Sequence, residues 1–215
     1  MRLIDNSNQQ ISSGSTVDLA KNLKLPGIMS LLGMFCEAFN ELRGSGKVTP
    51  NKIETEITEE LYYYLQMVWF DKGTKSLVPV HEKSHGKKVH GRGKTPTIDL
   101  CFRGWESEIY FGAECKILED KNHRYEYYID EGICRYISGD YSYKCPTGVM
   151  IGYIITGDTL KIINELKNRV DKLPNSSKMD ISSPINGFTE HYESIHKRII
   201  GVSPFDIHHL FFCFT

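Results

Sequence analysis

The chain has 215 residues, of which 40% are hydrophobic, and 26 basic side chains against 27 acidic ones leave a formal net charge of −1. This balance favours a globular domain with a sizeable core and argues against a polycation that coats nucleic acid or membrane over its whole surface. No apolar run approaches the roughly 18 residues needed to span a bilayer, and the polar start MRLIDNSNQQ is unlike a signal peptide. The six cysteines are scattered without a CxxC pair, which is typical of reduced thiols in a cytoplasmic protein.

The N-terminal part of the chain predicts one helix after a polar lead. Pro26 opens an apolar stretch that runs from Ile28 to Leu42, and the segment Arg43–Gly46 is a strong stop signal. We therefore expect residues 1–46 to form a helical extension to a domain of residues 47–215.

A second helix is expected from Thr49 and Pro50 onward. Its apolar side chains recur at helical spacing and comprise Ile53, Ile57, Leu61, Tyr64, Leu65 and Val68. At about 100° per residue, Glu60 lies beside this stripe and Glu56 lies somewhat further from it.

The segment HEKSHGKKVHGRGK, residues 81–94, is rich in glycine and in positive charge. We interpret it as a flexible basic loop. It directly precedes the strand that carries Asp99, so four of its side chains are candidates for contacts with nucleic-acid phosphates: Lys87, Lys88, Arg92 and Lys94.

The rest of the chain alternates strands and helices, which predicts an α/β or α+β fold around a central sheet. The expected elements, in order, are a hairpin of Thr97–Phe102 and Glu108–Leu118, a helix with an apolar face from Tyr125 to Ile137, a buried strand Gly148–Ile155, a helix capped by Asp158 and ending near Leu173, and strands Phe188–Arg198 and Phe205–Phe214.

The register of the hairpin follows from its hydrophobic pattern. With the turn centred on Trp105 and Glu106, apolar residues share one face; the pairs are Phe102 with Ile109, Leu100 with Phe111 and Ile98 with Ala113, and Cys115 and Ile117 continue the face. The other face then collects Asp99 opposite Gly112, with Glu114 and Lys116 following on the same strand as Gly112.

These polar side chains have the chemistry of a metal site. Two neighbouring carboxylates, Asp99 and Glu114, resist ionising together unless a cation compensates them. Mg²⁺ suits the pair because it prefers oxygen ligands and keeps several waters. Lys116 can prepare an attacking water and counter charge that builds on a phosphate, and Gly112 leaves room for a substrate backbone. The set predicts metal-assisted hydrolysis of a phosphodiester.

The segments TPTIDL (95–100) and GAECKI (112–117), on consecutive strands with a helix after them, resemble the PD-(D/E)xK nuclease superfamily. The resemblance implies a restriction-endonuclease-like α/β fold, a central mixed sheet flanked by helices, onto which residues from about 50 to 157 can be laid. It departs from the pattern in that Pro-Thr-Ile, instead of a bare Pro, precedes Asp99.

By that resemblance Asp99 and Glu114 bind the metal and Lys116 is the catalytic lysine. A helix carboxylate completes the site, for which Glu60 is the first choice and Glu56 the alternative. The implied cofactor is Mg²⁺, with Mn²⁺ able to substitute, and the implied substrate is DNA. A homodimer, and a partner protein in a restriction or phage-defence system, are further implications.

Several alternatives stay open. Glu119/Lys121 and Glu165/Lys167 repeat the Glu-x-Lys spacing, but no Asp on a facing strand accompanies them. Arg135 is most economically an i,i+4 partner of Glu131, with phosphate binding as its second role.

The C-terminal histidines His191, His196, His208 and His209 come without Cys partners or an established zinc spacing. We interpret Ser194, His196 and Arg198 as strand surface in preference to a polar patch near nucleic acid. For the whole protein, a non-catalytic nucleic-acid-binding or assembly subunit and an RNA-directed nuclease remain alternatives to a DNA nuclease.

Overall fold

The computed structural model describes residues 25–72, 77–84, 97–104, 109–198 and 200–215. The strands over these ranges are β1 (Val78–Ser84), β2 (Thr97–Arg103), β3 (Tyr110–Leu118), β4 (Thr147–Ile154), β5 (Asp180–Ile181), β6 (His191–His196) and β7 (Phe205–Cys213). The helices are α1 (Leu25–Gly44), α2 (Glu54–Lys72), α3 (Asn122–Tyr128), α4 (Cys134–Ser138) and α5 (Thr159–Val170), with a π-helical turn (Ile129–Ile133) between α3 and α4.

The fold is α/β, and its strands form one mixed sheet in the order β1-β2-β3-β4-β7-β6-β5. Strands β3, β4 and β7 run parallel to one another, and the remaining neighbours are antiparallel. The parallel pair β3 and β4 needs a crossover, which the helical segment from α3 to α4 supplies. Every residue of β4 is buried, as its continuous apolar run predicts.

Helices α1 and α2 cover one face of the sheet. In α1, Phe35 contacts Phe102 of β2 edge to face at 5.4 Å, and Phe39 stacks on Phe212 of β7 at 4.3 Å between ring centroids. Helix α1 therefore packs directly onto strands β2 and β7. The domain boundary between residues 46 and 47 stays a prediction.

The helical segment from α3 to α4 and helix α5 cover the opposite face. The aromatic side chains of Tyr125, Tyr128 and Tyr136 are buried there, so the apolar face of the predicted helix is part of the core. Asp158 caps α5 as predicted, because its Oδ1 accepts a hydrogen bond from the Lys161 backbone N–H at 3.0 Å. None of the helices in the described ranges is both long and apolar enough to cross a bilayer.

The hairpin of β2 and β3 has a different register from the predicted one. Ala113 pairs with Leu100 and Phe111 with Phe102, a shift of two residues. Such a shift returns every side chain to its own face, so the hydrophobic pattern cannot detect it. Leu100 and Ala113 share the core beneath α1 and α2 as expected, whereas Ile98 joins the core of the opposite face.

Both edges of the sheet differ from the predicted elements. Residues 81–84, predicted to begin a flexible loop, belong to the edge strand β1, and the short strand β5 was not expected. Lys87, Lys88, Arg92 and Lys94 lie outside the described residues.

Candidate functional site

The polar residues of the hairpin meet where β2 and β3 separate. Backbone pairing between the two strands ends at Ala113 of β3. Beyond that residue, two side-chain carboxylates accept the hydrogen bonds of backbone N–H groups of β3. The Cys115 backbone N–H donates to Asp99 Oδ2 at 2.7 Å, and the Ile117 backbone N–H donates to Glu54 Oε2 at 2.9 Å. Residues 115 and 117 offer their N–H groups on the same side because strand residues alternate.

The ammonium group of Lys116 lies between two of the carboxylates. Its Nζ is 2.6 Å from Glu114 Oε1 and 3.3 Å from Glu54 Oε1, and it donates to the Cys115 carbonyl at 2.9 Å. Burial by itself would lower the pKa of Lys116, but the charges of Glu114, Asp99 and Glu54 outweigh it and raise that pKa. Lys116 is therefore a cation held in the site.

Glu114 is the most deeply buried member, with 3% of the residue exposed. No described residue donates a hydrogen bond to its Oε2. Burial, together with the nearby Asp99 carboxylate, raises the pKa of Glu114 to about 8. Burial also raises the pKa of Asp99, although Lys116 and the Cys115 N–H oppose the shift.

A buried carboxylate oxygen without a donor is costly unless a cation compensates it. The oxygen donors of Asp99, Glu114 and Glu54 are of the kind that Mg²⁺ prefers. Glu114 Oε2 is therefore an atom that a hard divalent cation would stabilise. The carboxylates of Asp99, Glu114 and Glu54 do not each place an oxygen within 4.8 Å of the others, so they would have to converge further to share one ion.

The site opens into a cleft with a volume of about 670 Å³, which Glu54, Glu114 and Lys116 line on one side. Two arginines, Arg124 and Arg135, line the same cleft. Arg135 pairs with Glu131, as predicted, and donates to the Tyr141 hydroxyl at 2.8 Å. Arg124 pairs with Glu119 at 3.3 Å. The cleft thus combines carboxylates with two guanidinium groups, and guanidinium groups suit the recognition of phosphate.

The structure brings together Asp99, Glu114 and Lys116, but the helix carboxylate beside them is Glu54. Glu60 instead pairs with Lys47 at 2.9 Å and Lys52 at 3.7 Å, on a different part of the surface. The choice of Glu60 is therefore corrected.

Glu56, the alternative choice, is also placed elsewhere. Its Oε2 accepts a hydrogen bond from the Ile53 N–H at 3.1 Å, so Glu56 satisfies a backbone N–H at the start of α2. The helix begins at Glu54 and not at Thr49 as expected, and its first turn reaches β3 through Glu54.

Gly112 has a different role from the predicted one. A Cβ atom there would lie 2.3 Å from Ile98 Cδ1 and 2.9 Å from Tyr110 Cε2. The glycine therefore makes room for neighbouring core side chains, not for a substrate.

The C-terminal trio Ser194, His196 and Arg198 is not strand surface. Ser194 and His196 are each 1% exposed and Arg198 is 5% exposed. The Arg198 guanidinium donates to the backbone carbonyl of Tyr141 at 2.6 Å and to that of Ser142 at 3.2 Å. Both the surface interpretation and the nucleic-acid patch are wrong, because these side chains satisfy interior polar groups.

Comparisons with protein-family models, with curated proteins and with solved structures gave no match for this chain. The resemblance to the PD-(D/E)xK superfamily thus stays a prediction that depends on the hairpin motif.

Proposed function

We propose that the chain is a Mg²⁺-dependent nuclease with a restriction-endonuclease-like fold that hydrolyses phosphodiester bonds in DNA. The observation that carries this proposal is the cluster of Asp99, Glu114 and Glu54 around one lysine, at the edge of an open cleft. Three ionised carboxylates beside one ammonium would leave a formal charge of about −2, which a divalent cation neutralises.

Each residue then has a defined task. Asp99, Glu114 and Glu54 would hold the metal, and Mn²⁺ is expected to replace Mg²⁺ because it accepts the same oxygen ligands. The bound ion supplies positive charge to a phosphate and lowers the pKa of water. Lys116 orients the attacking water and counters charge that builds on the phosphate.

Arg124 and Arg135 face the cleft, where each can bind phosphate groups of a nucleic-acid backbone. We also propose phosphate contacts for Lys87, Lys88, Arg92 and Lys94. Action as a homodimer with one site per strand, and a partner protein in a restriction or phage-defence system, belong to the same proposal and follow from the resemblance alone.

The test is cleavage of plasmid, linear duplex, single-stranded DNA and RNA by the purified full-length chain, with Mg²⁺, Mn²⁺ or a chelator. We expect metal-dependent cleavage of DNA that falls at least about 100-fold in Asp99→Ala and Lys116→Ala. His123→Ala, at an exposed position of α3, is the control and should cleave like the unaltered chain.

Three outcomes contradict the proposal. Activity that survives either substitution would mean that the site is elsewhere. If the folded protein cleaves none of the four substrates, the non-catalytic alternative is favoured, and cleavage of RNA alone favours the RNA-directed one.

A further inference from the structure

A second polar cluster lies on β6 and β7. It consists of His191, which is fully buried, His208, which is 8% exposed, and Glu193, whose side chain is 43% exposed. Glu193 lies directly opposite His208 in the antiparallel pair, and His191 lies two residues before Glu193, so all three side chains share one face of the sheet.

This cluster is separate from the cleft. His208 pairs with Val149 of β4, which in turn pairs with Ala113 of β3. Val149 and Ala113 belong to the core beneath α1 and α2, so the side chain of His208 lies on that face of the sheet. Glu114 follows Ala113 and so points to the opposite face of the sheet.

The three potential ligand atoms are close enough to share one ion. His191 Nε2 lies 3.1 Å from His208 Nδ1, His208 Nδ1 lies 3.2 Å from Glu193 Oε1, and Glu193 Oε1 lies 3.5 Å from His191 Nε2. Ligands at about 2.0–2.1 Å from a tetrahedral Zn²⁺ stand about 3.3 Å from one another. The observed triangle matches one face of such a tetrahedron.

Neighbouring groups hold the ligands in a state suited to a metal. His191 Nδ1 is 2.9 Å from the Ser183 carbonyl, which can only accept, so Nδ1 carries the proton and Nε2 presents its lone pair to the cluster. The Ser182 hydroxyl donates to Glu193 Oε1 at 2.7 Å. Outer hydrogen bonds of this kind orient metal ligands.

We propose that His191, Glu193 and His208 form a binding site for a divalent transition metal, with Zn²⁺ as the best-fitting ion. Two imidazoles and one carboxylate suit zinc, whereas Mg²⁺ prefers oxygen ligands alone. The half-exposed Glu193 leaves the fourth position to solvent or to an external ligand. The ion would tie the segment of Ser182 and Ser183 to β6 and β7, whether or not the cleft is a nuclease site.

The test uses chelator-treated full-length protein titrated with Zn²⁺ by calorimetry, followed by dialysis and measurement of retained zinc. We expect one equivalent of zinc, and an affinity at least about 100-fold weaker in Glu193→Gln and His191→Gln. His123→Gln, an exposed histidine, and Glu114→Gln in the cleft are matched controls and should retain the zinc.

Glu193→Gln keeps the test valid if a buried histidine variant fails to fold, because its side chain is partly exposed. Substitution with Co²⁺ gives a second readout, since a four-coordinate site produces intense visible bands and a six-coordinate site weak ones. Failure of the unaltered protein to retain zinc would overturn the proposal. Zinc that is lost in Glu114→Gln but kept in Glu193→Gln would also overturn it, since the metal would then sit in the cleft.

Discussion

Glu54 and Glu60 belong to the same helix but have opposite surroundings. Glu54 accepts the Ile117 N–H and contacts Lys116, which ties it to β3. Glu60 is held by Lys47, whose hydrogen bond lowers the pKa of the Glu60 carboxyl. Whether a glutamate of α2 belongs to the site therefore depends on whether its turn of the helix lies against β3, and not on the presence of a carboxylate alone.

The pair gives a direct test at the residue scale. We expect Glu54→Gln to lower the cleavage rate by about 10- to 100-fold, because the substitution removes a charge that positions Lys116 and helps to hold the metal. Glu60→Gln, the matched control on the same helix, should cleave at the unaltered rate. Equal losses in both variants, measured under identical Mg²⁺ concentrations, would refute the reassignment from Glu60 to Glu54.

At the scale of elements, α1 behaves as part of the sheet's core. Its Leu32, Phe35 and Phe39 are at most 1% exposed. Phe35 packs against Phe102 of β2, and Phe39 packs against Phe212 of β7. Removing this helix would uncover an apolar face of the sheet, so the helix and the strands should unfold together.

We therefore predict that Phe39→Ala lowers the free energy of unfolding by about 3–5 kcal/mol, because it leaves a cavity against Phe212. The next residue, Asn40, is exposed, and Asn40→Ala should change stability by less than about 0.5 kcal/mol. Urea unfolding followed by circular dichroism measures both. A Phe39→Ala protein as stable as the unaltered chain would indicate that α1 is an independent appendage.

On the scale of the whole molecule, a buried chain of hydrogen bonds links the C-terminal strands to the helical layer. Tyr128 of α3 contacts His209 of β7 at 3.0 Å, and Ser194 of β6 bridges His209 and His196 at 2.8 and 2.7 Å. Burial lowers the pKa of His196 to about 4 and holds the pKa of His209 well below its ordinary range. Both imidazoles are thus neutral in the folded protein near pH 7.

The histidines make stability depend on pH. An unfolded histidine takes up a proton near pH 6.5 and the folded His196 only near pH 4, so the unfolded state holds more protons between these values. Stability therefore falls as the pH drops through that window. Glu114 acts in the opposite direction, because its raised pKa makes stability fall as the pH rises from 4.5 to about 8.

Comparison with His196→Gln isolates the contribution of His196 to the pH dependence of stability, since Glu114 is present in both proteins. Between pH 7.5 and pH 5 we expect the unaltered chain to lose on the order of 2 kcal/mol more stability than the variant. Urea unfolding at the two pH values measures the difference. An identical pH dependence in the two proteins would show that His196 titrates normally in the folded state.

Local patterns were sufficient for the elements whose signals lie within a few residues. The apolar run of β4, the Asp158 cap of α5 and the face of Leu100 and Ala113 all agree with the structure. The association of Asp99, Glu114 and Lys116 also followed from alternation along two neighbouring strands. Periodicity along a strand was sufficient for these faces, whereas Ile98, which it placed with Leu100, packs in the core of the opposite face.

What the sequence by itself determined about this protein is the α/β class and the polar trio on the hairpin. Only the tertiary structure decided that Glu54 joins the trio, that the hairpin is shifted by two residues, and that His191, Glu193 and His208 converge. The physical reason is that these outcomes depend on contacts between segments far apart in the chain. A two-residue shift of the strand register leaves the alternation of side chains between the two faces unchanged, so the sequence pattern does not reveal it. The partner of a helix carboxylate or of a histidine is set only when the helix and strands have packed.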